Sequence, residues 1–217
     1  KYLLAQFSNG YLIMHLGMSG RISIVTEKKN LLKHDHIDIC FNINGNKKIL
    51  RYNDTRRFGA MIWTDDNPSN HKLIATLGPE PLSDEFNADY LYEIVKRKKQ
   101  PIKSTIMDSH SVVGVGNIYA SESLFLASIR PQRRSQKIKK KEISILVDCI
   151  KMVINKAIER GGSTLNDFFS VNGQSGYFQN EHNVYGRENE ICNKCQGRIY
   201  QLRIAQRSSF YCKKCQV

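Results

Sequence analysis

Near the end of the chain four thiols are spaced for metal chemistry. Cys192-x2-Cys195 is followed, after sixteen residues, by Cys212-x2-Cys215. Each pair can offer two thiolates to one ion, so the set fits a closed tetrahedral zinc site with no position left open for catalysis. The rival reading is a pair of disulfides. The two other cysteines, Cys40 and Cys149, lie in apolar stretches where a buried free thiol is the plain expectation. A second group is Asp54-Thr55-Arg56-Arg57-Phe58-Gly59. Two guanidinium groups, one ring and a glycine suit a loop that enters a nucleic-acid stack, although a hairpin turn with a packed Phe reads the same way. Leu16-Gly17-Met18-Ser19-Gly20 reads as a strand and turn. In Lys33-His34-Asp35-His36 two imidazoles share a strand face, but no third ligand is evident, which favours DNA contact or structure over metal. From Ser111 to Glu122 small residues allow a tight turn, and a helix starting near Asn117 can aim its amides at a phosphate. Tyr119 stands where the third glycine of a dinucleotide fingerprint would be, which excludes that motif. Lys96-Arg97-Lys98-Lys99, with Lys103 beyond it, and Arg133-Arg134 through Lys141 are basic runs that also fit solvated helix ends.

These groups must be carried by two kinds of element. Up to about Trp63 short apolar runs are broken by Asn9-Gly10 and by Asn44-Gly45-Asn46, and the apolar residues of Ile37, Ile39, Phe41 and Ile43 alternate, which predicts antiparallel β-structure. Asn67-Pro68 and Gly78-Pro79-Glu80-Pro81 mark a connector. Ser83 is a candidate N-cap, after which helical periodicity runs to about Arg160. Ile143, Leu146, Ile150, Val153 and Ala157 form one apolar stripe, and Gly161-Gly162 supplies its stop. Residues 173–187 read as loop, and a β-hairpin is expected from Cys192 onward.

The chain has 217 residues, of which 41% are hydrophobic, enough for real cores. Thirty-three Lys and Arg against twenty Asp and Glu give a net charge of +13, which favours a polyanionic partner. No apolar run is long enough to span a bilayer and no secretory signal opens the chain, so a reducing cytoplasm and no membrane are expected. The first residues already read as a strand, from which a start in mid-domain, behind a further N-terminal segment, is expected.

Together the motifs resemble those of the formamidopyrimidine-DNA glycosylase family of bacterial base-excision enzymes. The matching pieces, in the family's order, are Leu16-Gly17-Met18-Ser19-Gly20, Lys33-His34-Asp35-His36, Arg56-Arg57-Phe58-Gly59, Leu77-Gly78-Pro79-Glu80-Pro81-Leu82 and Val112 through Glu122. They continue in Gly161-Gly162-Ser163-Thr164-Leu165, Gly176-Tyr177-Phe178, Val184-Tyr185-Gly186-Arg187 and Ala205 through Cys212. The resemblance implies an α+β multidomain fold: an incomplete antiparallel β-sandwich over 1–75, a helix-two-turn-helix domain over 76–180 and a zinc-finger β-hairpin over 181–217. It implies a monomer acting on double-stranded DNA that holds oxidised purines or abasic sites, with one structural Zn2+. Met18, Arg56 and Phe58 resemble the trio that fills the void left by a flipped nucleotide. His34 and Lys99 resemble DNA contacts, Lys103 and Asn117 phosphate grips, and residues 163–177 the loop that reads the everted purine. Lys1 matches the lysine linked to β-elimination, and Arg207 the residue linked to the second elimination. The family's nucleophilic proline and following glutamate are not among these residues, so base excision is expected of a parent that carries them and not of this chain. Thr55 stands where the family has proline, a change that loosens the loop. Endonuclease VIII-type enzymes for oxidised pyrimidines, or a non-catalytic lesion-binding homologue, remain the alternatives.

Overall fold

The computed structural model describes residues 2–25, 30–161 and 182–217. Two compact units emerge.

The first is centred on residues 1–75 and is mainly β, with one 3-10 turn at Pro68–Asn70: β1 Tyr2–Phe7, β2 Gly10–His15, β3 Gly20–Val25, β4 Asp35–Ile43, β5 Asn46–Asp54 and β6 Ala60–Thr64. They form two antiparallel three-stranded sheets, in the orders β1-β2-β6 and β3-β5-β4. The β4-β5 hairpin turns on Asn44 and Gly45, with φ of 49° and 80°. Two left-handed residues in a row match the right-handed twist of the strands they join, and Asn-Gly reaches that conformation at least cost. Ile13, Met14, Val25, Ile49 and Tyr52 are buried. Cys40 corrects an expectation: it is exposed, whereas Cys149 is buried. The alternation that gives Ile39 and Phe41 one face of β4 puts Cys40 on the other, and β4 is an edge strand.

The second unit spans Thr76–Arg160 and resumes in residues 182–217. It holds α1 Ala88–Val95, α2 Ile102–Ile106, α3 Asn117–Leu126, α4 Lys140–Glu159 and the hairpin of β7 Ile199–Ile204 with β8 Arg207–Cys212. The first helix starts later than the sequence suggests. Asn87 is its N-cap, accepting from the Tyr90 amide at 3.0 Å, while the Ser83 hydroxyl turns back to donate to the Glu80 carbonyl at 2.9 Å. A local side-chain bond to the preceding turn competes with capping in this residue type. The stripe of α4 is as expected: Ile143, Leu146, Ile150, Val153 and Ala157 are all buried, and Gly161 closes the helix at φ +70°. Its upper part packs with Phe86, Leu91, Ile102 and Leu124 in the main core.

A smaller cluster joins Phe125 to Val184, Cys192, Ile199, Phe210 and Cys212. Adjacent residues of α3 thus enter different cores, Leu124 among helices and Phe125 against the hairpin. Burying a ring such as Phe125 contributes about 2 kcal/mol or more, so the hairpin is docked by packing as well as by its cysteines. Among the described residues no helix is long and apolar enough to cross a membrane.

Candidate nucleic-acid interface and metal centre

In the β unit, Met18 and Phe58 are 58% and 63% exposed. Two glycines let their segments close up. A Cβ on Gly17 (φ +60°) would stand 2.8 Å from the Phe58 carbonyl carbon, and one on Gly59 would stand 1.8 Å from the Tyr52 hydroxyl. The Met18 turn therefore lies directly on the Phe58 loop. Arg57 takes φ 58°, and the Arg56 guanidinium lies 5.7 Å from the Phe58 ring centroid. The structure thus brings Met18, Arg56 and Phe58 into one cluster with both apolar side chains facing solvent. His34, at φ 75°, sits half-buried beside this region, and its carbonyl accepts from the Asp54 amide at 3.0 Å.

Beneath the cluster is a carboxylate to which the sequence reading gave no role. Asp54 is fully buried. Its Oδ1 accepts from the Ser19 hydroxyl at 2.6 Å and the Arg56 amide at 3.2 Å; its Oδ2 accepts from the Tyr52 hydroxyl at 2.8 Å and the Gly59 amide at 2.9 Å. Burial works to raise this carboxyl, but the four donors outweigh it and hold the group well below the usual carboxylate range. Burial and then Asp54 itself push the Tyr52 hydroxyl well above the ordinary tyrosine value. A signal was present in the sequence: an acid two residues before paired arginines weakens an anion-binding loop unless it is buried as a brace.

In the helical unit Lys103 and Asn117 come together around the carbonyl of Ser208, the residue after Arg207. Lys103 Nζ donates to the Ser208 carbonyl at 3.1 Å and to the Ser209 hydroxyl at 2.8 Å. Asn117 Nδ2 donates to the same Ser208 carbonyl at 3.1 Å and to the Tyr185 hydroxyl at 3.4 Å. Both expected phosphate grips thus also brace the hairpin, and Lys103 is only 1% exposed. Burial, then the nearby Arg207, pull its pKa down to about 7. Arg207 is exposed as the first residue of β8, immediately after the turn formed by Ala205 and Gln206. Lys99 is exposed in the connector between α1 and α2. Glu122 was also missed. Buried on α3, it accepts from the backbone amides of Asn183, Val184 and Tyr185 and from the Asn183 side chain at 2.8 to 2.9 Å, which fixes the approach to the hairpin.

Cys192, Cys195, Cys212 and Cys215 converge with all sulfur atoms within 4.8 Å of one another. The Cys192–Cys215 and Cys195–Cys212 separations are 3.8 and 3.4 Å, far beyond a disulfide bond. A tetrahedral ion with metal–sulfur bonds of about 2.3 Å needs sulfur–sulfur edges of about 3.8 Å, so the donor set fits. The Gly197 amide draws the Cys195 thiol down to about 7, while burial and the neighbouring sulfurs push Cys215 up. Crowded thiols of this kind lose their protons together only when a cation takes up the charge. Among the described residues this is the one cluster of three or more such ligands. Lys1 and residues 163–177, assigned above to elimination chemistry and base reading, lie outside the described residues.

Residues 1–61 match the model described as the formamidopyrimidine-DNA glycosylase N-terminal domain, and residues 77–169 match the H2TH domain of the same family. A formamidopyrimidine-DNA glycosylase of Neisseria meningitidis serogroup A is 47% identical over 220 residues, covering 100% of this chain and 79% of the relative. The enzyme of that name from Legionella pneumophila strain Lens is 50% identical, covering 100% and 78%. Among solved structures, the Lactococcus lactis Fpg bound to abasic-site DNA superposes with a TM-score of 0.87 at 33% identity, covering 100% of this chain and 79% of that one. Its complex with N7-benzyl-Fapy-dG DNA gives 0.89 at 32%, covering 100% and 78%. Two domain models in the expected order, and close relatives along its whole length, show that this chain belongs to the formamidopyrimidine-DNA glycosylase family.

Proposed function

We propose that the chain recognises lesion-bearing duplex DNA, and that with the family's Pro-Glu nucleophile pair supplied it excises oxidised purines such as 8-oxoguanine and formamidopyrimidines and nicks the abasic strand by β,δ-elimination. The observation that carries this reading is the exposed Met18–Arg56–Phe58 cluster: two apolar side chains and one cation held out of the core, of a size to replace an everted nucleotide in the stack. Met18 and Phe58 would wedge into the duplex, and Arg56 would pair with the orphaned base. His34 and Lys99 would contact the backbone. Lys103 and Asn117 would act at the phosphates next to the hairpin they brace, and Arg207 would reach the abasic sugar from its tip. Lys1 would serve β-elimination.

The four cysteines would hold one structural Zn2+, which supplies a fixed fold for the hairpin and no reacting group. The localisation that suits this work is the cytoplasm, on the nucleoid. Excision starts when an amine attacks the sugar C1′ and the glycosidic bond breaks, the base leaving with the bonding pair and taking up a proton. Opening of the C1′–O4′ bond then gives a Schiff base, which borohydride reduces to a stable covalent link. The 217-residue polypeptide should bind abasic-site duplex more tightly than intact duplex and should not become covalently linked to 8-oxoguanine DNA under borohydride. The same chain extended by the family's N-terminal segment should be trapped efficiently. Equal binding of the two duplexes would refute the recognition role, and efficient trapping by the 217-residue polypeptide would show that another amine performs the chemistry.

A further inference from the structure

We propose that Asp54 is the positioning residue of the void-filling cluster, one buried carboxylate that locks the Met18 turn, the His34 segment and the Arg56–Phe58 loop into a single rigid reader. The inference rests on the DNA-recognition reading above and adds to it the group that sets the reader's geometry.

Three segments of the chain meet at this residue, held by both its carboxylate oxygens and by its own backbone amide and carbonyl. The Met18 turn is held through Ser19, whose hydroxyl donates to Oδ1 at 2.6 Å. The 56–59 loop is held at both ends, by the Arg56 amide on Oδ1 at 3.2 Å and by the Gly59 amide on Oδ2 at 2.9 Å. The His34 segment is held by the backbone of Asp54: its amide donates to the His34 carbonyl at 3.0 Å, and its carbonyl is 2.8 Å from His36 Nε2. The buried Tyr52 completes the set with its hydroxyl on Oδ2 at 2.8 Å. Gly17 and Gly59 leave no slack, since a side-chain carbon on either would collide with Phe58 or Tyr52. Side chains that must replace a nucleotide need a fixed geometry before DNA arrives, because ordering them on binding would use up affinity. A loop containing Thr55, where the ring of a proline would stiffen the backbone, needs such a brace all the more.

The role demands a carboxylate and not an amide of the same shape. Each carboxylate oxygen faces one backbone N–H that cannot rotate away, Arg56 on one side and Gly59 on the other. In Asp54→Asn, whichever way the new side-chain amide turned, its NH2 would point at a donor. The substitution therefore breaks one tether and leaves the volume of the core unchanged. Ser19→Ala, at a half-buried position, removes the hydroxyl that donates to Oδ1 and that also accepts from the Arg56 amide at 3.3 Å and Arg56 Nε at 3.4 Å. It frees the Met18 turn and loosens the Arg56 end of the loop, while the Gly59 and Tyr52 bonds to Asp54 remain.

The experiment uses the 217-residue chain with a duplex carrying a tetrahydrofuran abasic analogue opposite 2-aminopurine, and with the intact duplex. Affinity for both is measured, together with the 2-aminopurine fluorescence change on binding, which reports side chains entering the stack. The wild-type chain should prefer the abasic duplex and change its fluorescence. In Asp54→Asn the preference should fall about tenfold and the fluorescence change should be lost, while affinity for intact duplex stays within about twofold. Ser19→Ala should show a smaller loss of both readouts with an unchanged melt, which tests the proposal even if Asp54→Asn fails to fold. Wild-type preference and fluorescence retained in either folded variant would overturn the positioning role alone. A wild-type chain with no preference would overturn the recognition reading and this proposal with it.

Discussion

Lys103 is a lysine only 1% exposed, its amine held by two hydrogen bonds to β8. Its pKa falls to about 7 through burial, and then through the charge of Arg207. The ordinary lysine value is about 10.4, so between about pH 7 and 10 the unfolded chain binds more protons than the folded one. Stability contributed at this site must therefore rise with pH across that window, as the cost of burying an ammonium disappears. Lys103→Met removes the titrating group and keeps much of the side chain's length. The wild-type melting temperature, measured relative to that of Lys103→Met, should climb as pH is raised from about 7 to about 10; a constant difference would mean a well-hydrated ammonium. The four clustered thiols are common to both chains and cancel. The candidacy of Lys103 is legible in sequence, as a cation near a basic run. Its burial is not, because the atoms that cover it lie more than a hundred residues later, on a strand whose docking depends on Phe125 and Glu122. Asp54 is a mixed case: Tyr52, Arg56 and Gly59 lie within five residues of it, and only the fourth donor, Ser19, comes from a distant stretch of chain.

The hairpin shows what an element can and cannot announce. Its existence follows from the two Cys-x2-Cys pairs, but its turn carries no Gly, Asn or Asp. Ala205 and Gln206 take φ of 45° and 61°, the two left-handed positions of a tight hairpin turn. For residues with a Cβ that conformation costs about 1 kcal/mol each, so the turn is imposed by the register Ile204↔Arg207 through Ile199↔Cys212 rather than chosen locally. The cysteines close the far end of the same ladder, so a metal held there would oppose the turn strain across β7 and β8. Removing the ion with a chelator should release the hairpin first. Amides of β7 and β8 should lose hydrogen-exchange protection, while those of α4, whose stripe packs in a core without the cysteines of the metal site, should keep theirs. Simultaneous loss in both elements would mean that the metal supports the whole helical unit. The strand alternation in β4 and the stripe of α4 were readable because each is a local period. The start of α1 was not, because Ser83 and Asn87 offer the same chemistry and only the surrounding turn decides between them.

Over the whole molecule the net charge of +13 is readable at once, but its useful part is not. Several cations are already matched by carboxylates. Arg51 is clamped by Asp35 and Asp38 inside the β unit, and Arg133 by Glu142 in the helical one. In the run from Lys96 to Lys99, Lys96 and Arg97 both pair with Glu93, and Lys98 pairs with Asp108. Lys99 is the member of that run without a carboxylate partner among the described residues, and it is exposed. A cation already neutralised by its neighbour displaces few counterions when it meets a phosphate, whereas a free one displaces about 0.9 per contact. The salt dependence of DNA binding therefore separates them. Lys99→Ala should reduce the slope of log K against log salt by about 1, and Lys96→Ala should leave it nearly unchanged. Equal changes in the two variants would show that the run acts as a diffuse positive surface, and that no single lysine in it grips the backbone.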